Sequence, residues 1–230
     1  MKLKTPLIIV NYKTYDRGSG KRAVELTKII EENGSKRGAS VAVAVQPTDI
    51  YPISNSCRLP VLAQHIDPIN YGSHTGHILP ESVRDAGAVG TLINHSERRM
   101  KLADLSECVT RAKANGLVTV VCANDVATAR ACASLDPDFV AVEPPELIGG
   151  DISVSKAKPE VVSGTVDAVK RVNPDVQVLC GAGVKNGDDV AKALQLGAVG
   201  VLLASGVVNA KDPDKVMEDL IDGLHMVKDV

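Results

Sequence analysis

The sequence predicts a closed (β/α)8 barrel, an α/β fold of eight parallel strands ringed by outer helices. Three observations predict it. Short runs of branched aliphatic residues recur eight times along the 230 residues, and buried parallel strands have that composition. Amphipathic or alanine-rich stretches of helical length separate the runs, and a strand–helix alternation makes neighbouring strands parallel. Eight such units of about 25–30 residues fill the chain, at the short end of the usual size of a closed barrel. An open doubly wound sheet is the alternative, but no glycine-rich turn follows the first strand, where that fold would hold a dinucleotide. With no low-complexity segment or linker, residues 1–230 read as one domain.

Each element follows in order. The strand Leu7 to Val10 runs into Asn11-Tyr12-Lys13, and Lys21 to Glu32 is the first helix. Val41 to Val45 is the second strand. Val61 to Ala63 ends in Gln64-His65. Val89 to Ile93 leads into Asn94-His95, and Asp104 to Asn115 is helical. Val118 to Cys122 precedes a helix over Asp125 to Leu135. Phe139 to Val142 ends in Glu143-Pro144-Pro145, with a helix over Pro159 to Val172. Val176 to Cys180 ends in Gly181-Ala182-Gly183, with a helix over Asp188 to Leu196. Val199 to Leu203 ends in Ala204-Ser205-Gly206, which can open a short helix through Val207-Val208. Asp212 caps a last helix, to Lys228, with Pro213 at its first position.

Composition narrows the function. Aromatic residues are only 2%, so the core is built from Val, Ile, Leu and Ala. The formal charge is −2 and both signs are spread along the chain, which offers no nucleic-acid or membrane footprint. No apolar stretch approaches a membrane span, and the first residues lead into a strand rather than a signal-peptide apolar region. The five cysteines (Cys57, Cys108, Cys122, Cys132 and Cys180) form no C-x-x-C and lie mostly in apolar stretches. They read as reduced, packed thiols of a cytoplasmic protein.

In a closed barrel the chemistry gathers at the carboxyl ends of the strands. Asn11 and Lys13 alternate with Tyr12 and so share a side. Lys13 offers a fixed positive charge to an anionic substrate, or is an ordinary surface lysine. His95 ends the fourth strand. Ser96 can cap a following helix with Glu97 in its first turn, and a histidine facing the positive end of that helix tends to stay neutral. A neutral imidazole polarises a carbonyl, although the same six residues, Asn94 to Arg99, also read as a helix start with a solvated charge cluster. Glu143 is a partly desolvated carboxylate at a strand end, suited to general-base work or to a salt bridge. Pro144-Pro145 and Gly149-Gly150 flank Glu146-Leu147-Ile148 as a stiff and a permissive hinge of a lid. The small-residue turns at Gly181–Gly183 and Ala204–Gly206 suit a phosphate held by main-chain N–H groups. His74-x-x-His77 has a metal-like spacing but no third ligand.

Taken together, Asn11-x-Lys13, His95-Ser96-Glu97-Arg98-Arg99 and Glu143-Pro144 resemble triosephosphate isomerase in order and spacing. Ala63-Gln64-His65 and Gly72-x-x-Thr75-Gly76 are similar too, and the resemblance runs from Asn11 to Gly206. It implies a TIM barrel, with Glu143 as the base, His95 as the electrophile and Lys13 as the positive charge on the substrate. It further implies that Asn11 orients the substrate and that Glu97 pairs with Lys13. The phosphate would rest on main chain at Ile148, Gly183, Ala204 and Ser205. The resemblance implies a small phosphorylated triose as substrate, and no cofactor or metal. The compact length resembles the archaeal branch, which implies a homo-oligomer, a tetramer rather than a dimer, joined through the loop Gly72 to His77.

Three departures stand out. Asn94 occupies a position that is usually glycine, and the usual lid tryptophan is absent. The usual Tyr-Gly-Gly-Ser is Cys180-Gly181-Ala182-Gly183. Other phosphate-binding barrel enzymes, such as an epimerase or a synthase, would share the two small-residue turns without needing Lys13, His95 and Glu143 together. A non-enzymatic phosphate-binding barrel would not preserve both the base and the electrophile.

Overall fold

The computed structural model describes residues 3–144 and 154–227. Eight parallel strands close into a barrel in chain order: β1 (Leu7–Asn11), β2 (Ser40–Val45), β3 (Val61–Ala63), β4 (Gly90–Ile93), β5 (Val118–Ala123), β6 (Phe139–Val142), β7 (Gln177–Gly181) and β8 (Gly200–Leu203). The ring closes where Leu7 pairs with Ser40 on one side and Gly200 on the other. Gly200 permits that closure, because a Cβ there would fall 2.1 Å from the Leu7 carbonyl oxygen.

Around the barrel lie α1 (Gly20–Arg37), α2 (Pro47–Ser56), α3 (Pro80–Asp85), α4 (Leu102–Ala114), α5 (Val126–Ala133), α6 (Val154–Ala157), α7 (Pro159–Val172), α8 (Gly187–Gln195), α9 (Ser205–Val208) and α10 (Pro213–His225). The Asp212 side chain accepts from the Lys215 N–H and Pro213 opens the helix, as the sequence predicts for α10.

Side chains alternate along a strand, and that parity makes two cores. Leu7, Ile9, Ala42, Ala44, Leu62, Leu92, Val120, Phe139, Ala141, Leu179 and Leu202 fill the barrel interior. Ile8, Val10, Val41, Val43, Val121, Val140, Val178 and Val201 face the helices. The interior parity continues to Asn11, Glu143 and Gly181 at the rim. Interior packing therefore aims all three at one place.

One expectation is corrected. No helix starts at Ser96: residues Ser96 and Glu97 form a turn and α4 begins at Leu102. The donors that a helix start would offer are taken by side chains instead. The Glu97 N–H donates to His95 Nδ1 at 3.2 Å and the Met100 N–H to Asn94 Oδ1 at 2.9 Å.

Candidate active site

Asn11, Lys13, His95, Glu143, Gly183, Ala204 and Ser205 line one cavity at the carboxyl end of the strands. Glu97 lines an adjoining cavity that shares Asn11, Lys13 and His95. Ile148, with the rest of the expected lid from Pro145 onward, lies outside the described residues.

The end of β1 is built to present two donors. Asn11 is 4% exposed, and its Oδ1 accepts the Lys13 N–H at 3.0 Å and Gln64 Nε2 at 3.2 Å. Both acceptor directions are occupied, so the Asn11 amide NH2 is left to face the cavity. Lys13 holds a left-handed backbone (φ 47°), a conformation that costs a non-glycine residue energy and occurs often at functional sites. Gln64 Nε2 secures it by donating to the Lys13 carbonyl at 2.9 Å. Lys13 Nζ lies 2.8 Å from Glu97 Oε1, and the lysine side chain is only 12% exposed.

His95 follows a second left-handed residue, Asn94 (φ 62°). On simple alternation His95 would follow Ile93 toward the helices, and the turn at Asn94 redirects it into the cavity. Asparagine tolerates this conformation and adds what glycine cannot. Its Nδ2 donates to the Cys122 carbonyl at 3.0 Å and its Oδ1 accepts the Met100 N–H. The departure from the usual glycine thus has a physical account. An N–H can only donate, so the Glu97 N–H on Nδ1 identifies a lone pair there and places the ring proton on Nε2. The Glu97 carboxylate is farther from Nδ1, at 3.5 Å, and its other oxygen is engaged by Lys13.

Glu143 is 5% exposed, and its N–H donates to the Ala123 carbonyl at 2.7 Å. Its Oε2 is buried without a hydrogen-bond partner among the described residues. That oxygen lies 3.7 Å from His95 Nε2, too far for a hydrogen bond. A carboxylate oxygen and an imidazole N–H thus face each other almost in contact, with no hydrogen bond between them.

Two residues shape Glu143 from behind. A Cβ on Gly181 would sit 2.4 Å from Glu143 Cγ, so the bare α-carbon makes its room. The Cys122 thiol also lies against it. Burial first, and then the Glu143 carboxylate, push that thiol well above its ordinary value and keep it protonated. All five cysteines are buried and free, as the sequence reading expected of packed thiols. At the opposite wall, Ala182 and Gly183 are both left-handed (φ 72° and 71°), and the turn faces α9 across the cavity.

The chain matches the triosephosphate isomerase family over residues 6–223. It belongs to the triosephosphate isomerase family. It is therefore an enzyme, an isomerase. Among its relatives is the triosephosphate isomerase of Methanothermus fervidus, 55% identical over 216 residues, spanning 94% of this chain and 97% of that protein. The Methanocaldococcus jannaschii triosephosphate isomerase is 55% identical over 215 residues, spanning 94% and 98%. The crystal structure of triosephosphate isomerase from Bartonella henselae superposes with a TM-score of 0.77, covering 97% of this chain and 100% of that one. At 18% identity it speaks for the fold, and the fold is the same closed barrel.

Sequence reasoning gave no role to Gln64 or Cys122 and read Gly181 only as part of a phosphate turn. Gln64 sits at a strand end, where such residues gather, and was within reach of that rule. Cys122 and Gly181 act through neighbours across strands, which residue order does not display.

Proposed function

We propose that the chain interconverts dihydroxyacetone phosphate and D-glyceraldehyde 3-phosphate through an enediolate, in glycolysis and gluconeogenesis. The observation that carries the residue roles is Glu143 Oε2, without a hydrogen-bond partner among the described residues, opposite His95 Nε2. Glu143 removes a proton from the carbon beside the carbonyl, and the C–H electron pair becomes the C=C of the enediolate. The same carboxylic acid returns a proton to the neighbouring carbon, while one hydroxyl proton passes between the two substrate oxygens by way of His95 Nε2, so the carbonyl moves by one position. His95 Nε2–H faces the oxygen on which charge develops. Lys13 adds a fixed positive charge in a poorly solvated place, and the Asn11 amide donates to the substrate. Glu97 holds Lys13 in position. The phosphate rests on main-chain N–H groups at Gly183, Ala204 and Ser205, and at Ile148 in the segment not described.

The reading extends to assembly and place. Residues 1–230 act as one barrel domain, in the cytoplasm, with no nucleic-acid or membrane partner. No helix among the described residues is long and apolar enough to cross a membrane. The chain forms a homo-oligomer, a tetramer rather than a dimer, through Gly72–His77, a segment exposed along its whole length.

Turnover in deuterium oxide tests the chemistry. Proton transfer through Glu143 predicts solvent deuterium in product and in recovered substrate. Isomerisation without exchange would point to hydride transfer and overturn the base. Glu143→Gln should lower kcat by ~10²–10⁴ while inorganic phosphate still binds.

A further inference from the structure

The phosphate-facing turn after β7 has an unusual support. Ala182 carries a side chain yet is left-handed, and the next residue, Gly183, is left-handed too. Two such residues in succession need to be held from outside. The structure shows the far end of the turn tied down at Lys185. Asp189, in the first turn of α8, is 3% exposed, and its Oδ2 accepts the Lys185 N–H at 3.0 Å. Its Oδ1 meets Lys156 Nζ of α6 at 2.8 Å. Its carbonyl accepts the Ser155 hydroxyl at 3.2 Å. Asn186 caps α8 by accepting the Asp189 N–H at 3.0 Å.

One buried carboxylate thus ties the end of the turn to two separate helices. The Lys185 N–H points back to Asp189, which anchors the turn whose Ala182 and Gly183 line the cavity. A carboxylate beneath an anion site would by itself repel the anion. Lys156 neutralises it, so the pair supports the turn without opposing the phosphate.

We propose that Asp189 is a positioning residue for the substrate phosphate: it fixes the Ala182–Lys185 turn for anion binding, and through it the enzyme's preference for phosphorylated over unphosphorylated trioses. The inference rests on the reading of this turn as the phosphate site.

The test compares kcat/KM for glyceraldehyde 3-phosphate with kcat/KM for glyceraldehyde in the wild type, Asp189→Ala and Asp189→Asn. The ratio cancels the amount of folded enzyme. Asp189→Ala should reduce it at least ~10-fold, one hydrogen-bonded anchor's worth of anion binding. It should weaken inorganic phosphate, measured by calorimetry at fixed salt, by a similar factor. Asp189→Asn should stay within about 3-fold of wild type on both measures. Its amide oxygen can still accept the Lys185 N–H, while Lys156, 45% exposed, turns to water. An unchanged ratio in Asp189→Ala, even with both rates lowered, overturns the proposal and leaves Asp189 a purely structural residue. Asp189→Asn falling as far as Asp189→Ala also overturns it, because the anchor would then not be the N–H contact. A wild type that turns over neither substrate but binds inorganic phosphate, with Asp189→Ala weakening it, would overturn the isomerase reading and support the positioning role.

Discussion

Gly181→Ala should disable the enzyme while leaving it folded. The new Cβ would lie 2.4 Å from Glu143 Cγ and 3.0 Å from both Cδ and Oε1. Comfortable carbon–carbon contact begins near ~3.5 Å, so relief needs a displacement of about 1 Å. The Glu143 main chain is tied to Ala123 and followed by Pro144, so the side chain must swing. A misplacement of that size costs about 10²-fold in rate, or about 2.7 kcal/mol of transition-state stabilisation. Gly181 is not left-handed, so alanine is not strained there and the fold should persist. The assay is steady-state isomerisation coupled to a dehydrogenase, alongside thermal unfolding. In a Glu143→Gln background the same substitution should cost little more, because both act on one carboxylate. Wild-type kcat/KM in Gly181→Ala would refute the reasoning, since the carboxylate would then not need the position it occupies.

Two further predictions concern stability. Asn94→Ala loses bonds to the Cys122 carbonyl and the Met100 N–H, about 0.5–1.5 kcal/mol each, and puts alanine in a left-handed conformation costing about 1–2 kcal/mol more. Asn94→Gly loses only the bonds, so urea unfolding should rank glycine above alanine; the reverse order would refute the account of Asn94. Burial holds the His65 imidazole below its ordinary 6.5, outweighing the hydrogen bond that its Nε2–H donates to Asp67. The unfolded chain therefore takes up this proton first as pH falls, so the His65 contribution is complete above about pH 6.5 and is lost below it. For Asp67, burial would raise the carboxyl, but the Ile78 N–H, His65 and Arg98 together hold it below its ordinary 3.8, so its contribution is lost only in stronger acid. The loss of unfolding free energy between pH 7.5 and 5.5 should shrink in His65→Gln, and an unchanged loss would remove His65 from the balance.

Much of the molecule was legible in the sequence, for reasons that differ by element. All eight strands were, because a barrel strand is apolar on both faces and stands out as a run. Asn11, Lys13, His95 and Glu143 were legible because strand ends are where this architecture places its chemistry. The short helices α2 and α3 were not singled out. Pro52 interrupts one, and the other is six residues, too short to show a period. The turn at Ser96 was misread because local capping residues compete with partners that only folding supplies. A histidine ring two residues back claimed the donor that the helix would have used. Asn94 was a bare oddity in the sequence, because its meaning lies in a backbone angle and in the carbonyl of the next strand.

The pairing of Leu7 with Gly200 also sets a schedule for biosynthesis. The strand that carries Asn11 and leads into Lys13 emerges first, and the strand that completes its ladder follows roughly 190 residues later, on the order of 10–40 s at ribosomal rates. Until then the growing sheet has two open margins, each able to recruit a stranger. A protein built on a ring thus completes its catalytic rim late, and all at once. Slow synthesis over the last third of the message lengthens the period in which a nascent chain needs a chaperone most.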